Sequence, residues 1–267
     1  MNFRIKNSQS APEVAGVSVQ EKSNRFSLLQ TADQIMGFLI TALVGIIAAF
    51  VFRVWFRVEV DGVSRFQALN KLRRRGHGGF LVVSNHKTHL DSYLFVAVFC
   101  LPGMLFEWLI TRNNPVPYHA GKAHHHHSNW WKVMFSRHFH VMPVSDGKES
   151  LVIRALIRTL STHIVHIFPE GTRDKGAGVK QAKPGVGMMA VKANVPVLPI
   201  YVGGMEQVQD PSAPGSKLYS IHWRNFRSRI CIRVGEPLKF APDRKDYLEI
   251  SREILDSIYT LSTRGPS

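Results

Sequence analysis

Residues Phe80–Cys100 read FLVVSNHKTHLDSYLFVAVFC, and the change of pattern inside that stretch sets the fold. Phe80 to Ser84 is a short, β-rich apolar run bounded by polar residues, which is the composition of a buried strand. Leu90 to Cys100 is apolar almost throughout and suits a buried helix. His86 then falls on the turn between the two elements, and Asp91 falls in the first turn of the helix. Residues five apart on one helix point about 140° away from each other, so these two side chains meet only because His86 precedes the helix. An acid at that position is favoured by the helix dipole. It can hold one imidazole nitrogen so that the other faces a hydroxyl group.

The HxxxxD spacing alone is a weak signal, because thirteen His and nine Asp in 267 residues give about 0.4 chance matches. A structural hydrogen bond capping the helix competes as an account of the same two residues. His89 is a rival partner for Asp91, although at the helix start it is expected to face away from the turn.

Ile164 to Phe168 (IVHIF) reads as a second strand, ended by Pro169 at the loop Glu170-Gly171-Thr172-Arg173. Arg173 offers a planar fork for bidentate phosphate contact, Gly171 lets the backbone approach closely, and Thr172 adds a hydroxyl donor. Glu170 would repel an anion, so it is expected to accept hydrogen bonds from substrate hydroxyls or to orient a neighbouring basic group. A surface turn carrying an Arg-Glu ion pair is the plainer alternative.

With both motifs present, the chain resembles the glycerolipid acyltransferase family, typified by 1-acyl-sn-glycerol-3-phosphate acyltransferase, over roughly Val58 to Leu238. The family's NHxxxxD matches Asn85, His86 and Asp91, and its FPEGTR matches Phe168 to Arg173. The resemblance implies that His86 is the base, that Asp91 is its acidic partner, and that the second motif binds glycerol phosphate. Asn85 is counted with the substrate-binding residues. Val195 to Gly203 (VPVLPIYVG) is similar to the family's buried Pro-containing strand, Lys183 to Ala190 (KPGVGMMA) to the turn and helix before it, and Arg233 to Leu238 (RVGEPL) to the terminal strand. One block departs. Where the family has a Gly, a short strand and a phosphate-contacting Arg, this chain reads RHFHVMPVSDGK over Arg137 to Lys148. The Arg position falls near Ser145 or Asp146, leaving Lys148 or Arg137 to supply the charge. The implied reaction transfers a fatty acyl group from acyl-CoA or acyl-carrier protein to a lysophospholipid hydroxyl, with no cofactor and no metal. No GxSxG elbow offers a nucleophile of its own, so direct attack on the thioester is expected.

Thirty-four Lys and Arg against nineteen Asp and Glu leave a net charge of +15, which implies anionic partners. The run Ile35 to Phe52 (IMGFLITALVGIIAAFVF) chooses among them, being eighteen residues without a charge. As a helix it is about 27 Å long, enough to anchor in a hydrocarbon core of roughly 30 Å but borderline for crossing it. Thr31 and Gln34 resemble a capping box at its start, and Arg53, Trp55, Phe56 and Arg57 mark an interfacial exit. The thirty-four residues before the run, and its length, set it apart from a cleaved signal peptide. Lys22 and Arg25 precede the run, against seven basic residues from Arg53 to Arg75, so a spanning helix would leave the catalytic part facing the cytoplasm.

Cys100 and Cys231 lie in apolar segments without disulfide or zinc spacing, as in a reducing compartment. The four histidines His124 to His127 point in different directions and have no acidic or Cys partner at ligand spacing, so they are read as a mobile polar loop or a tag-like sequence. Nucleic-acid binding lacks its aromatic-basic interleaving. The resemblance makes 1-acyl-sn-glycerol-3-phosphate the expected acceptor; an acyltransferase for another lyso-lipid or glycerol 3-phosphate, and a membrane-bound anionic-lipid-binding protein that has kept the fold without the activity, stay open.

The expected architecture is α/β, a layered mixed sheet flanked by helices and preceded by a hydrophobic membrane-anchoring helix. Residues 1–25 are read as a disordered polar tail, 26–57 as the membrane-associated helix and 58–267 as one domain. Expected helices cover His89 to Leu101, Asn129 to Arg137, Glu149 to Thr162, Gly185 to Asn194 and Asp243 to Leu261. Expected strands, besides those above, begin at Val58 and cover Met104 to Thr111, Val141 to Val144 and Val195 to Val202. The apolar residues from Leu94 to Trp108, with Trp130, Trp131 and Met134, are read as core first and acyl-channel lining second.

Overall fold

Hydrophobic runs too short for helices form the centre of the molecule. The computed structural model describes residues 19–111, 116–122, 133, 136–172, 181–209, 222, 224–225 and 227–263. Its strands are β1 (Arg57–Asp61), β2 (Phe80–Ser84), β3 (Tyr118–Lys122), β4 (Val141–Val144), β5 (Ile164–Ile167), β6 (Val197–Gly203) and β7 (Arg229–Val234). They form one sheet in the order β1-β7-β6-β2-β5-β3-β4. Only β6 and β7 pair antiparallel. The other neighbours are parallel, which requires helices on both faces.

The strand period of two sorts side chains between two cores. On one face, Phe80 and Val82 of β2 meet α1 (Val19–Phe50), α2 (Val63–Arg74) and α3 (Asp91–Phe95) through Ala48, Phe66, Leu94 and Phe95, together with Phe52 of the π-helical turn that follows α1. On the other, Leu81 and Val83 meet α5 (Glu149–Thr159), α6 (Pro184–Ala193) and α7 (Tyr247–Thr263) through Leu156, Met189 and Ile254. Gly187 is required where α6 crosses α7, because a Cβ there would lie 2.2 Å from the Tyr247 carbonyl oxygen. The Ser251 hydroxyl accepts the Gly187 N–H at the same crossing (2.9 Å).

Four sequence expectations change here. Met104–Thr111 is a helix, α4, not a strand: α3 runs on through a π-helical turn (Val96–Cys100) and a 3-10 turn (Leu101–Gly103) into it. Pro102 therefore opens the next helical segment instead of ending the apolar one, as a proline in a first turn can. Tyr118–Lys122 (YHAGK) is an unforeseen strand with little β propensity, held by parallel neighbours on both sides. The basic stretch before Arg75 is helix α2, whose Phe66 packs edge-on against Phe80 and Phe95. Helix α1 begins at Val19, upstream of the expected cap at Thr31. Of the tail expected over 1–25, residues 1–18 lie outside the described residues. So does the His124 to His127 run, and of the helix expected over Asn129 to Arg137 only Val133, Ser136 and Arg137 are described, all helical.

Helix α1 lies along the domain. Its inner face meets His138 at Gly37 and Val96 and Leu101 at Gly45, and Arg137 bonds Asp33 at 2.6 Å. Its outer face leaves Ile35, Leu39, Leu43, Ile46 and Phe50 exposed. Helix α4 continues that apolar surface with Leu105, Phe106 and Leu109, and a Phe38–Trp108 stack (4.7 Å between centroids) joins the two helices. A buried Arg73–Glu107 ion pair fastens α4 to α2. Thr31–Trp55 and Asp91–Leu109 are each long and apolar enough to cross a membrane.

Candidate active site

Because β2, β5 and β6 run parallel, the turns after them open on one edge of the sheet, the carboxyl edge where ligands bind in such folds. The turn after β2 is built around Asp91. Its Oδ2 accepts the main-chain N–H groups of Lys87 (2.8 Å) and Thr88 (3.0 Å), and its Oδ1 accepts the Thr88 hydroxyl (2.9 Å). His86 Nδ1 lies 2.8 Å from the same Oδ2. That oxygen already accepts from two N–H donors, so Nδ1 carries the proton and Nε2 is left with its lone pair. His86 keeps 18% of its side-chain surface open, whereas Asp91 is buried. Of the two histidines that could pair with Asp91, His86 does so. His89 instead donates its main-chain N–H to Gln209 Oε1 (3.2 Å).

Asn85, at 1% exposed, sets the position of this turn. Its amide nitrogen donates to the Val202 carbonyl and its amide oxygen accepts the Val202 N–H, both at 2.8 Å, tying the end of β2 to β6. Both ends of the amide therefore face the sheet.

The second motif arrives at the same place by a ring contact that the spacing of the motifs did not show. Phe168 stacks on His86 with centroids 3.8 Å apart and planes 12° from parallel. Behind it, His166 meets the edge of Phe168 and stacks on Phe95, while its Nε2 lies 2.8 Å from Ser84 Oγ. His119 of β3 packs edge-on against His166. Burial pushes the His119 imidazole down to about 3, with His140 adding to the effect. Burial also holds His166 well below the ordinary histidine value, with His119 and His86 contributing. These two rings are neutral packing elements that support Phe168 and, through it, His86.

The loop after Phe168 is a tight turn in which Gly171 N–H donates to the Phe168 carbonyl (3.0 Å) and Gly171 adopts φ +67°. Glu170 points inward at 3% exposed, and Oε1 accepts the Tyr259 hydroxyl of α7 (2.8 Å). Thr172 is exposed, and Arg173 lies outside the described residues. The segment returns at Lys183, whose N–H donates to the Pro169 carbonyl (3.0 Å). Lys148 is exposed at the start of α5, beyond β4 at the far end of the sheet. Arg137 is engaged by Asp33.

The structure thus brings His86, Asp91, Phe168, Glu170 and Gly171 together. Phe168 was legible as part of a motif but not as the ring beneath the imidazole. Tyr259 and Gln209 carried no sequence signal, since their contacts span 89 and 120 positions. Among the described residues no group of three or more His, Cys, Asp or Glu is placed to hold a metal ion.

The crystal structure of the 1-acyl-sn-glycerophosphate (LPA) acyltransferase PlsC from Thermotoga maritima superposes with a TM-score of 0.57, covering 92% of this chain and 91% of that one at 17% sequence identity. That likeness is one of fold. No curated protein matches the chain in sequence. The family model described as Acyltransferase matches residues 57–203, more than half of the chain and including both motifs. The chain belongs to the acyltransferase family.

Proposed function

We propose that the protein transfers a fatty acyl group from acyl-CoA or acyl-carrier protein to the hydroxyl of a lysophospholipid, with 1-acyl-sn-glycerol 3-phosphate as the leading acceptor. The observation that carries this reading is the His86 imidazole. Asp91 fixes its tautomer, Phe168 of the second motif covers one face, and Nε2 is left to take a proton. An alcohol attacks a thioester poorly at neutral pH unless a base removes its proton as the bond forms. In the proposed step Nε2 takes the acceptor proton while the acceptor oxygen adds to the thioester carbonyl. The tetrahedral intermediate then expels the thiolate, which recovers the proton from His86. Asp91 stabilises the imidazolium that exists in between.

Gly171, Thr172 and Arg173 are assigned to the polar head of the acceptor, and Glu170 braces their loop from inside through Tyr259. Asn85 is assigned the role of positioning His86 through Val202. The exposed outer faces of α1 and α4 are assigned to lipid. Because α1 packs along the domain from Asp33 to Ala49, it is taken to lie in one leaflet, with the basic residues from Arg53 to Arg75 at the cytoplasmic surface.

His86→Ala tests the reaction. Transfer from radiolabelled acyl-CoA to the lysophospholipid should disappear while the thermal unfolding profile is kept, and retained transfer would reject the assignment. A protein that binds anionic vesicles but shows no transfer with any acceptor would establish the lipid-binding alternative.

A further inference from the structure

The acceptor site as read from the motifs lacks one cation. The family's phosphate-contacting Arg has no counterpart between the two motifs, and the two residues expected to replace it are poorly placed. Arg137 is held by Asp33 at 2.6 Å against α1. Lys148 stands beyond β4, two strand positions from β5, or about 10 Å along the sheet edge.

A third cation lies on the motif itself. Lys183 precedes α6, and its main chain is pinned to the loop by the bond to Pro169. Its side chain runs across Gly171 so closely that a Cβ on that residue would lie 2.8 Å from Lys183 Cδ and Cε and 3.0 Å from Nζ. This gives Gly171 a second purpose besides its left-handed φ of +67°, since any side chain there would displace the lysine. Lys183 is exposed and forms no ion pair among the described residues. Among the described residues of the loop the one carboxylate, Glu170, turns inward to Tyr259. An ammonium group held at the surface of the loop, with no counter-ion among the described residues, is a point charge available to an arriving anion.

We propose that Lys183 is a phosphate-binding residue of the acceptor site and sets its preference for acceptors that carry a phosphate. This rests on the acyl-transfer reading for the identity of the acceptor, but the contact itself is a matter of binding and can be measured without turnover. A donor such as acyl-CoA also carries phosphate, so the experiment separates the two sources.

Dodecyl phosphate, a single-chain lipid with a phosphate head, is titrated below its micelle concentration into the full-length protein and into the Lys183→Gln and Lys183→Arg variants. Lys183→Gln should weaken its binding by about 10- to 50-fold, as expected for losing one charge-assisted contact. Lys183→Arg should stay within about 3-fold of the natural protein. In the transfer assay, Lys183→Gln should raise KM for 1-acyl-sn-glycerol 3-phosphate by a similar factor, while KM for acyl-CoA and transfer to an uncharged monoacylglycerol hold steady. Unchanged dodecyl phosphate binding would overturn the proposal, as would an equal loss in Lys183→Arg. A loss confined to the KM for acyl-CoA would also overturn it, by moving the lysine to the donor. Absence of transfer in the natural protein with the Lys183-dependent binding intact would instead reject the acyl-transfer reading and leave the phosphate contact standing.

Discussion

Asp91→Asn separates the two services that Asp91 gives to His86, and the hydrogen bonds around the carboxylate fix the size of the effect. Oδ2 receives three donors, from His86, Lys87 and Thr88, whereas Oδ1 receives only the Thr88 hydroxyl. An asparagine therefore settles with its oxygen at the Oδ2 position and its NH2 at the Oδ1 position. The Thr88 hydroxyl rotates from donor to acceptor to meet it, which a hydroxyl can do and an N–H cannot. In that arrangement the His86 Nδ1 proton keeps its acceptor, so the tautomer survives and only the negative charge is lost. The lower bound on the cost is the difference between a charge-assisted and a neutral hydrogen bond, about 1 to 1.5 kcal/mol or roughly tenfold in rate. The upper bound is the attraction between an imidazolium and a carboxylate about 4 Å apart at an effective dielectric of about 20, which is about 4 kcal/mol or on the order of 10³-fold. We expect kcat to fall between these limits, near 10²-fold, with the thermal midpoint shifted by only a few degrees. Asp91→Ala, which also orphans two buried main-chain donors, should cost 10⁴-fold or more and destabilise the fold by about 2 to 5 kcal/mol. The assay is steady-state acyl transfer at saturating acceptor, paired with thermal unfolding. An Asp91→Asn protein as inactive as His86→Ala would refute this account, because the tautomer would not have survived. One within threefold of the natural enzyme would refute it from the other side, because the charge would have no part in the step.

Two further consequences are open to measurement. His119, pushed down to about 3 by burial, and His166, held well below the ordinary histidine value by the same cause, are neutral in the folded protein and ordinary in the unfolded chain. Their depressed folded values mean that stability is fully present above the unfolded value of about 6.5 and is lost as pH falls from there toward 3. Urea unfolding should show a loss of about 2 kcal/mol per histidine between pH 7 and pH 5, and His119→Phe should remove its share of that slope. An unchanged slope in the variant would contradict the burial argument. On the membrane side, replacing both Leu105 and Phe106 with Ser removes two exposed apolar side chains from α4 while leaving α1 intact. If both enter lipid, partition to anionic vesicles should drop by at least tenfold, given about 1.5 to 3 kcal/mol for each buried side chain. Undiminished partition would show that this face of α4 stays in water.

The parts of this molecule that the sequence revealed are those where one short pattern has one physical meaning. The strand at Phe80–Ser84 is apolar and β-rich because both its faces are covered, and the turn after it must hold His86 ahead of the helix for Asp91 to reach it. What the sequence hid falls into two kinds. Met104–Thr111 is apolar without a deciding period, so its pattern alone does not separate a strand from a helix, while packing against α1 and the Glu107–Arg73 pair made it a helix. Tyr118–Lys122 is the converse, a polar segment made into a strand by its neighbours in the sheet. The second kind is contact at long range. Phe168 lies under His86 because β2 and β5 are paired in register, Phe80 against Ile164 through Val83 against Ile167, which sets Phe168, the first residue beyond β5, level with the end of β2 at Ser84, where the turn to His86 begins. That register is also why the two motifs behave as one site. A one-residue slip between β2 and β5 would turn His166 off the Phe95 face and move Phe168 about 3.3 Å along the edge, away from the imidazole. The Ser84–His166 hydrogen bond and the Asn85–Val202 pair hold the register at the edge where the chemistry is proposed, so the polar residues buried there act on the site through the sheet.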